Sequence, residues 1–227
     1  GFQPAVDEAV ATQAPDAGFD VSPDADLTLA ATDDGHDHGG ESAEEHRAHA
    51  DEATPNDPHF WLDPLRLRAV ATAVGERLAG QDPTHAADDR ANASALAADL
   101  DALDEEFRAG LARCRTDELV TAHAAFAYLA DRYGLSQEGI TGISPDAEPD
   151  AATLRELAAH VEERGVTTIY TETLVDPALA QTLARETGAS VAVLDPLEGL
   201  TDASAGTDYL EVMRSNLAVL RTGQGCS

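Results

Sequence analysis

The feature that most constrains the fold is a regular alternation of short apolar strands and amphipathic helices after residue 117. Helical patterns follow the strands, and three of them end at Gly134, Gly165 and Gly188, as helices often do. Four β-α units in a row predict a parallel sheet with helices on both faces. The fold class is therefore α/β, with residues 117–227 as one lobe. The predicted strands are "ELVTAH" (118–123), "GITGIS" (139–144), "VTTIYTE" (166–172) and "ASVAVLD" (189–195).

Residues 63–116 are predicted to form a helical connector that leads into this lobe. Asp63 and Pro64 have the residue types of an N-cap and a first helical position. A second Asp-Pro start at residue 82 is followed by apolar residues spaced three and four apart. This pattern predicts one helix of about 30 residues, about 45 Å long, which can serve as a strut between two lobes.

Three polar residues end predicted strands of the α/β lobe: His123, Glu172 and Asp195. Parallel sheets bind ligands beyond the carboxyl ends of their strands, so these side chains are expected in one crevice. A strand-terminal acid also commonly caps the next helix, so a purely structural role remains open for each carboxylate.

His59 is expected to join them. It lies in "NDPHFWLDP", between a turn-forming Asp-Pro and an apolar run that contains the only Trp of the chain. A histidine beside aromatic residues is often simply packed. Imidazoles together with a carboxylate, however, make a borderline-soft site that suits tetrahedral zinc. His59, His123 and Asp195 would supply three ligands.

The chain is strongly acidic, with a net charge of −29, and all 14 basic residues are arginine. Such a surface repels nucleic acid and anionic membranes and attracts cations. The acids are spread along the whole chain, which is typical of proteins from salt-loving microbes. Apolar residues make up 43% of the chain, enough for a core, and no apolar run is long enough to span a bilayer.

A polar loop at 33–56 holds four of the eight histidines: His36, His38, His46 and His49. From its composition alone it could be a metal site, a metal collector or a solvated loop. The two cysteines, Cys114 and Cys226, form no CxxC pair, which argues against a cysteine zinc site. Free thiols and a disulfide between them are equally compatible with their spacing.

Four ordered motifs and the segment after the last of them resemble the zinc- and manganese-binding solute-binding proteins of ABC uptake transporters. They are "NDPHFWLDP", "VTAHAAFAYLADRYGL", "GISPDAEPDAATLREL" and "VAVLDPLEGL", followed by "DYLEVMRSNLAVL". The resemblance runs from residue 1 to about residue 221. It implies two α/β lobes joined by a long backbone helix, with the metal held between the lobes.

In this family the ligands are usually three histidines and an aspartate, so the resemblance implies His59, His123 and Asp195. Glu172, at a strand end in the same crevice, is a candidate for an additional ligand or a supporting residue. Histidine at the position of His123 favours zinc over manganese. The His-rich residues 35–52 ahead of His59 resemble the loop of the zinc branch that captures or senses zinc, and not the high-affinity site itself. The implied function is an extracytoplasmic receptor, expected to be monomeric, that delivers zinc to an ABC transporter permease.

The resemblance also implies that the first ligand falls immediately upstream of Gly1. Residues 1–62 are then expected to be the remnant of an incomplete first lobe in an N-terminally truncated chain, with the leader or lipid anchor outside this sequence. The extracellular location implied by the transporter permits a disulfide. We therefore predict that Cys114, after the strut helix, pairs with Cys226, after the last helix.

Three other functions remain open. A manganese receptor of the same family would use the same crevice. A zinc hydrolase would use a fourth, open metal position, with Glu172 as the base, but the sequence contains neither a nucleophile elbow nor a phosphate loop. A zinc buffer would use the His-rich loop alone.

Overall fold

The computed structural model describes residues 3–31, 56–144, 147 and 149–227. Residues 33–55 of the His-rich loop, which carry its four histidines, therefore lie outside the described residues. Four strands are described: β1 (Glu118–His123), β2 (Ser136–Thr141), β3 (Thr168–Thr171) and β4 (Ser190–Val193). The helices, apart from a 3-10 turn at Phe60–Leu62, are α1 (Pro4–Gln13), α2 (Ser22–Ala25), α3 (Pro64–Gln81), α4 (Ala86–Leu111), α5 (Ala127–Tyr133), α6 (Ala151–Arg164), α7 (Ala178–Thr187) and α8 (Tyr209–Gly223).

The four strands form one parallel sheet in the order β2-β1-β3-β4. Alternate residues of β1 and β3 face opposite sides. Leu119 and Tyr170 join a core with residues of α4, α5 and α8, whereas Val120 and Ile169 join a second core with residues of α6 and α7. The predicted parallel sheet with helices on both faces is confirmed.

Local signals placed most helix ends correctly. Asp63 Oδ1 accepts a hydrogen bond from Leu65 N at 2.9 Å, which makes Asp63 the N-cap of α3. Gly134, Gly165 and Gly188 end α5, α6 and α7 with φ values of 71°, 66° and 74°. These left-handed conformations are strained for residues with a Cβ atom, so glycine is favoured at each position.

The strut helix α4 has 26 residues and begins at Ala86, so the prediction of about 30 residues was slightly long. Residues 82–85 form a separate turn, closed by a hydrogen bond of 3.1 Å from His85 N to Asp82 O. At 1.5 Å per residue the helix is about 39 Å long. The boundaries predicted at residues 62/63 and 116/117 remain predictions.

Strand β2 begins at Ser136, three residues before the predicted start. Its register is set by β1, with Ser136 opposite Glu118 and Thr141 opposite His123. The first residues of this edge strand are half-buried or exposed and carry little apolar signal. At Gly139 a Cβ atom would come within 3.0 Å of Ala124 N, so this glycine permits a close backbone approach. Within "LTLAA" (27–31), Ala30 forms an isolated antiparallel bridge with Asn56.

The predicted disulfide between Cys114 and Cys226 is present, with the two Cα atoms 3.8 Å apart. The chain end is also held by backbone hydrogen bonds, from Arg115 N to Gln224 O and from Ser227 N to Arg113 O, both 3.0 Å long. The last helix is thus tied to the entrance of the α/β lobe. Within the described ranges, no helix combines the length and apolar character needed to cross a membrane.

Candidate metal centre

His123 is the last residue of β1, and its imidazole is oriented by a carboxylate from the neighbouring strand. Glu172, directly after β3, accepts hydrogen bonds through Oε1 from His123 Nδ1 at 2.5 Å and from His123 N at 3.1 Å. Both residues are buried. Since an ionised carboxylate only accepts, Nδ1 carries the proton and Nε2 is turned away from Glu172. Glu172 is thus placed to support His123.

His59 has the same arrangement on another part of the chain. Asp57 Oδ1 accepts from His59 Nδ1 at 2.7 Å and from His59 N at 2.8 Å, across the intervening Pro58. Both side chains are buried. Carboxylates that receive the Nδ1 proton in this way are common partners of metal-binding histidines, because they fix the ring orientation and raise the basicity of Nε2.

The two Nε2 atoms converge on Glu198. Glu198 Oε1 lies 3.3 Å from His59 Nε2 and 3.1 Å from His123 Nε2, and the two ring centroids are 5.4 Å apart. Among the described residues, these three side chains form the only group of three or more His, Cys, Asp or Glu whose ligand atoms all lie within 4.8 Å of one another.

Asp195 is buried two residues after the end of β4, but the structure does not bring its carboxylate into this group. Oδ1 instead accepts a hydrogen bond from Leu197 N at 2.8 Å and so closes a turn. Oδ2 is buried without a hydrogen-bond partner among the described residues. The group therefore differs from the expected set, with Glu198 in place of Asp195.

Sequence reasoning missed two residues of the site, the third member of this group and the carboxylate that supports His59. Glu198 lies three residues beyond Asp195 in "DPLEGL", where we considered only Asp195, at the predicted end of the strand. Asp57 was interpreted as part of an Asp-Pro turn, although its position two residues before His59 puts it within reach of that imidazole. A search for acids near each candidate histidine, and not only at strand ends, would have included both.

Leu197, between the turn and Glu198, has a φ of 57°, in the left-handed region. For a residue with a Cβ atom this conformation costs roughly 1–2 kcal/mol. The turn closed by Asp195 holds the backbone there. Such strain is often found at functional sites, where the surrounding structure stabilises it.

Hydrogen bonds between the two imidazoles and their carboxylate partners shift the pKa values in the cluster. Burial favours the neutral imidazole of His123, but hydrogen bonds with Glu172 and Glu198 outweigh it and raise the pKa of His123 to about 9. Burial likewise lowers the pKa of His59, and hydrogen bonds with Asp57 and Glu198 more than offset it, so that this pKa is also raised. The hydrogen bonds from His123 and His59 lower the pKa of Glu198 to about 2.

The donor set and its spacing fit a small divalent cation. A tetrahedral zinc ion with bonds of about 2.05 Å holds neighbouring donor atoms about 3.3 Å apart. The distances of 3.1 and 3.3 Å from Glu198 Oε1 to the two Nε2 atoms are close to that spacing. Two imidazole nitrogens and one carboxylate oxygen are typical ligands of zinc.

Comparison with known proteins places the chain among zinc-binding relatives. The family described as "ZnuA: Zinc-uptake complex component A periplasmic" matches residues 1–223. A zinc-binding protein, AdcA of Streptococcus pyogenes, is 42% identical over 82% of this chain and 38% of its own length. The high-affinity zinc uptake system protein ZnuA of Bacillus subtilis is 37% identical over 73% of this chain and 52% of its own length.

A solved structure agrees in fold. The Zn(II)-bound form of an AdcAII variant from Streptococcus pneumoniae superimposes with a TM-score of 0.70 at 33% identity. The match covers 87% of this chain and 67% of the other. The chain thus spans 38% of the length of AdcA from Streptococcus pyogenes and 52% of the length of ZnuA from Bacillus subtilis.

Proposed function

The chain belongs to the family of periplasmic zinc-uptake components named after ZnuA, and from this premise we propose that it is a zinc receptor of an ABC uptake transporter. In this proposal one zinc ion binds to His59, His123 and Glu198. Asp57 and Glu172 hold the two imidazoles in the orientation that binding requires.

The single observation that carries this proposal is the convergence of His59 Nε2 and His123 Nε2 on one oxygen of Glu198, at 3.3 and 3.1 Å. Both Nδ1 atoms already donate to carboxylates, so each Nε2 is left to coordinate once it loses its proton. The ion would replace the shared protons between these three groups. Asp195, which we expected as a ligand, is not needed for this set.

Zinc is favoured over manganese by the ligand chemistry. Imidazole nitrogens suit zinc, whereas manganese prefers oxygen ligands and lies at the bottom of the divalent affinity series. The zinc-binding names of the similar proteins support the same choice. A manganese receptor of the same fold is the alternative at this site.

Membership of this family supports the delivery of zinc to a permease. We expect the zinc to be taken up outside the cytoplasmic membrane, since the family description is periplasmic, and to be passed to a permease. The disulfide between Cys114 and Cys226 is typical of that compartment. We expect the receptor to act as a monomer, and its charge of −29 repels nucleic acid.

The test is equilibrium dialysis of the chain with zinc and with manganese, after deletion of the histidine-bearing residues 35–52. We expect zinc to be retained at one ion per chain and manganese to be lost. The substitution His123→Ala should weaken zinc binding by more than about 100-fold, because it removes a ligand and not only a supporting residue.

The matched control is His160→Ala. His160 also contacts a buried carboxylate, with Nε2 3.1 Å from Glu118 Oε2, but it lies outside the cluster. Its loss should leave zinc binding unchanged. Undiminished zinc binding in His123→Ala, or equal retention of manganese, would contradict the proposal. Loss of all binding on deletion of residues 35–52 would favour a zinc buffer, and ester or peptide hydrolysis by the zinc-loaded chain would favour a hydrolase.

A further inference from the structure

The loop that follows β4 carries Glu198, and its backbone is held by side chains from two other parts of the chain. We infer that Asp195 is a positioning residue, which sets the place of the Glu198 carboxylate before any metal binds. This inference rests on the proposed zinc site, because it takes Glu198 as a ligand.

The first hold is on the backbone of Asp195 itself. Asn216, buried on α8, accepts a hydrogen bond from Asp195 N at 3.0 Å and donates one to Asp195 O at 2.7 Å. One amide side chain thus satisfies both polar groups of Asp195's backbone. The end of β4 is fixed relative to α8, and the loop leaves the sheet from a defined point.

The second contact that fixes the loop is made by the carboxylate of Asp195. Its Oδ1 accepts from Leu197 N at 2.8 Å, and this turn coincides with the left-handed φ of 57° at Leu197. A leucine rarely adopts that conformation without support. The backbone direction at Leu197 decides where the next residue points, and the next residue is Glu198.

The third hold comes from the segment that carries His59. Trp61 Nε1 donates to Pro196 O at 2.8 Å, and the ring of Trp61 lies 5.2 Å from that of His59. Pro196 lies between Asp195 and Leu197, so each of the three residues before Glu198 takes part in a hydrogen bond that shapes the loop. The same contact ties the loop to the other side of the cluster.

A ligand that is held in place loses less conformational freedom when the ion binds, and the affinity is higher for that reason. Removing the Asp195 side chain as a hydrogen-bond acceptor should release Leu197 from its left-handed conformation and move Glu198 away from the two imidazoles. The expected loss is about 10- to 100-fold in zinc affinity, the range seen when a residue that supports a ligand is removed.

The experiment is a double-mutant cycle on zinc affinity, with residues 35–52 deleted in every protein. The substitution Asp195→Ala should weaken binding, whereas Asp195→Asn should bind nearly as well as the parent, because its amide oxygen can still accept from Leu197 N. In a Glu198→Gln background, Asp195→Ala should cause little further loss, since Asp195 acts through Glu198.

The control is Asp150→Ala. Asp150 Oδ1 accepts from Ala152 N and from Thr153 N, both at 2.8 Å, and from Thr153 Oγ1 at 3.1 Å at the start of α6, so this variant loses similar hydrogen bonds outside the cluster. It should bind zinc as the parent does. Urea unfolding, followed by the fluorescence of the single Trp61, would establish that each variant is folded.

Two results would overturn the inference. If Asp195→Asn were as damaging as Asp195→Ala, the charge of Asp195 would matter and not its hydrogen bond. If Asp195→Ala were fully damaging in the Glu198→Gln background, Asp195 would act independently of Glu198, as a ligand would.

A crystal structure of metal-free Asp195→Ala gives a readout that needs no zinc. Glu198 is expected to move out of contact with both Nε2 atoms, and an unmoved Glu198 would refute the positioning role. If the parent chain bound no zinc, the proposed function would fail, and this structure would still decide the role of Asp195.

Discussion

Because the pKa of His123 is raised, we predict that the affinity of the site for zinc increases steeply between pH 7 and pH 8.5. With a pKa of about 9, His123 is protonated at neutral pH in the metal-free protein, and zinc must displace that proton. For one competing proton, the apparent dissociation constant falls about 25-fold between pH 7 and pH 8.5. A histidine with the ordinary pKa of about 6.5 would change it less than about twofold over the same interval.

The neighbouring groups fix the sign of this effect. The pKa of Glu198 is lowered to about 2, so Glu198 stays ionised throughout the interval and contributes no opposing change. The pKa of His59 is also raised, so its proton competes in the same direction. Protonated His123 also stabilises the folded, metal-free protein. This contribution to the free energy of unfolding is complete below pH about 6.5 and is lost as the pH rises through about 9.

The assay is competition with a chromophoric chelator of known pH dependence, in the chain without residues 35–52. Calorimetry in buffers of different ionisation enthalpy should show at least about one proton released per zinc at pH 7.5. The substitution Glu198→Gln should weaken binding and flatten its pH dependence, because it removes a charge that holds the proton on His123. A dissociation constant that is unchanged from pH 7 to pH 8.5 would refute the reasoning.

Three further predictions concern the supporting structure. The substitution Glu172→Gln should lower zinc affinity about 10- to 100-fold with little change in fold, as measured by the same competition assay, because a neutral amide holds His123 less firmly. Deletion of residues 35–52 should remove weak zinc binding and leave the tight site, and a titration that lost the tight site would contradict this. The substitution Cys114→Ser, which opens a loop of 112 residues to Cys226, should lower the free energy of unfolding in urea by up to about 4–5 kcal/mol in the chain-entropy model. No change would mean that the hydrogen bonds of the chain end suffice.

Much of the fold was predictable because its signals are local. The caps at Asp63 and at Gly134 depend on backbone geometry within a few residues, and both were placed correctly. The start of β2 was not, because pairing with β1 selects its register, and the first residues of that edge strand carry little apolar pattern.

In the site, too, some features follow from the local sequence and others only from long-range contacts. The sequence by itself determined that His123 ends a strand and that His59 lies in a motif of its own, and the structure brings these two together. Only the tertiary structure decided that Glu198 lies against both imidazoles, whereas Asp195 lies outside this group and closes the turn before it. The backbone between these two acids is shaped by Asn216, 21 residues after Asp195, and by Trp61, 135 residues before Pro196. The direction of a side chain beyond a strand end depends on such distant contacts, which no local pattern encodes.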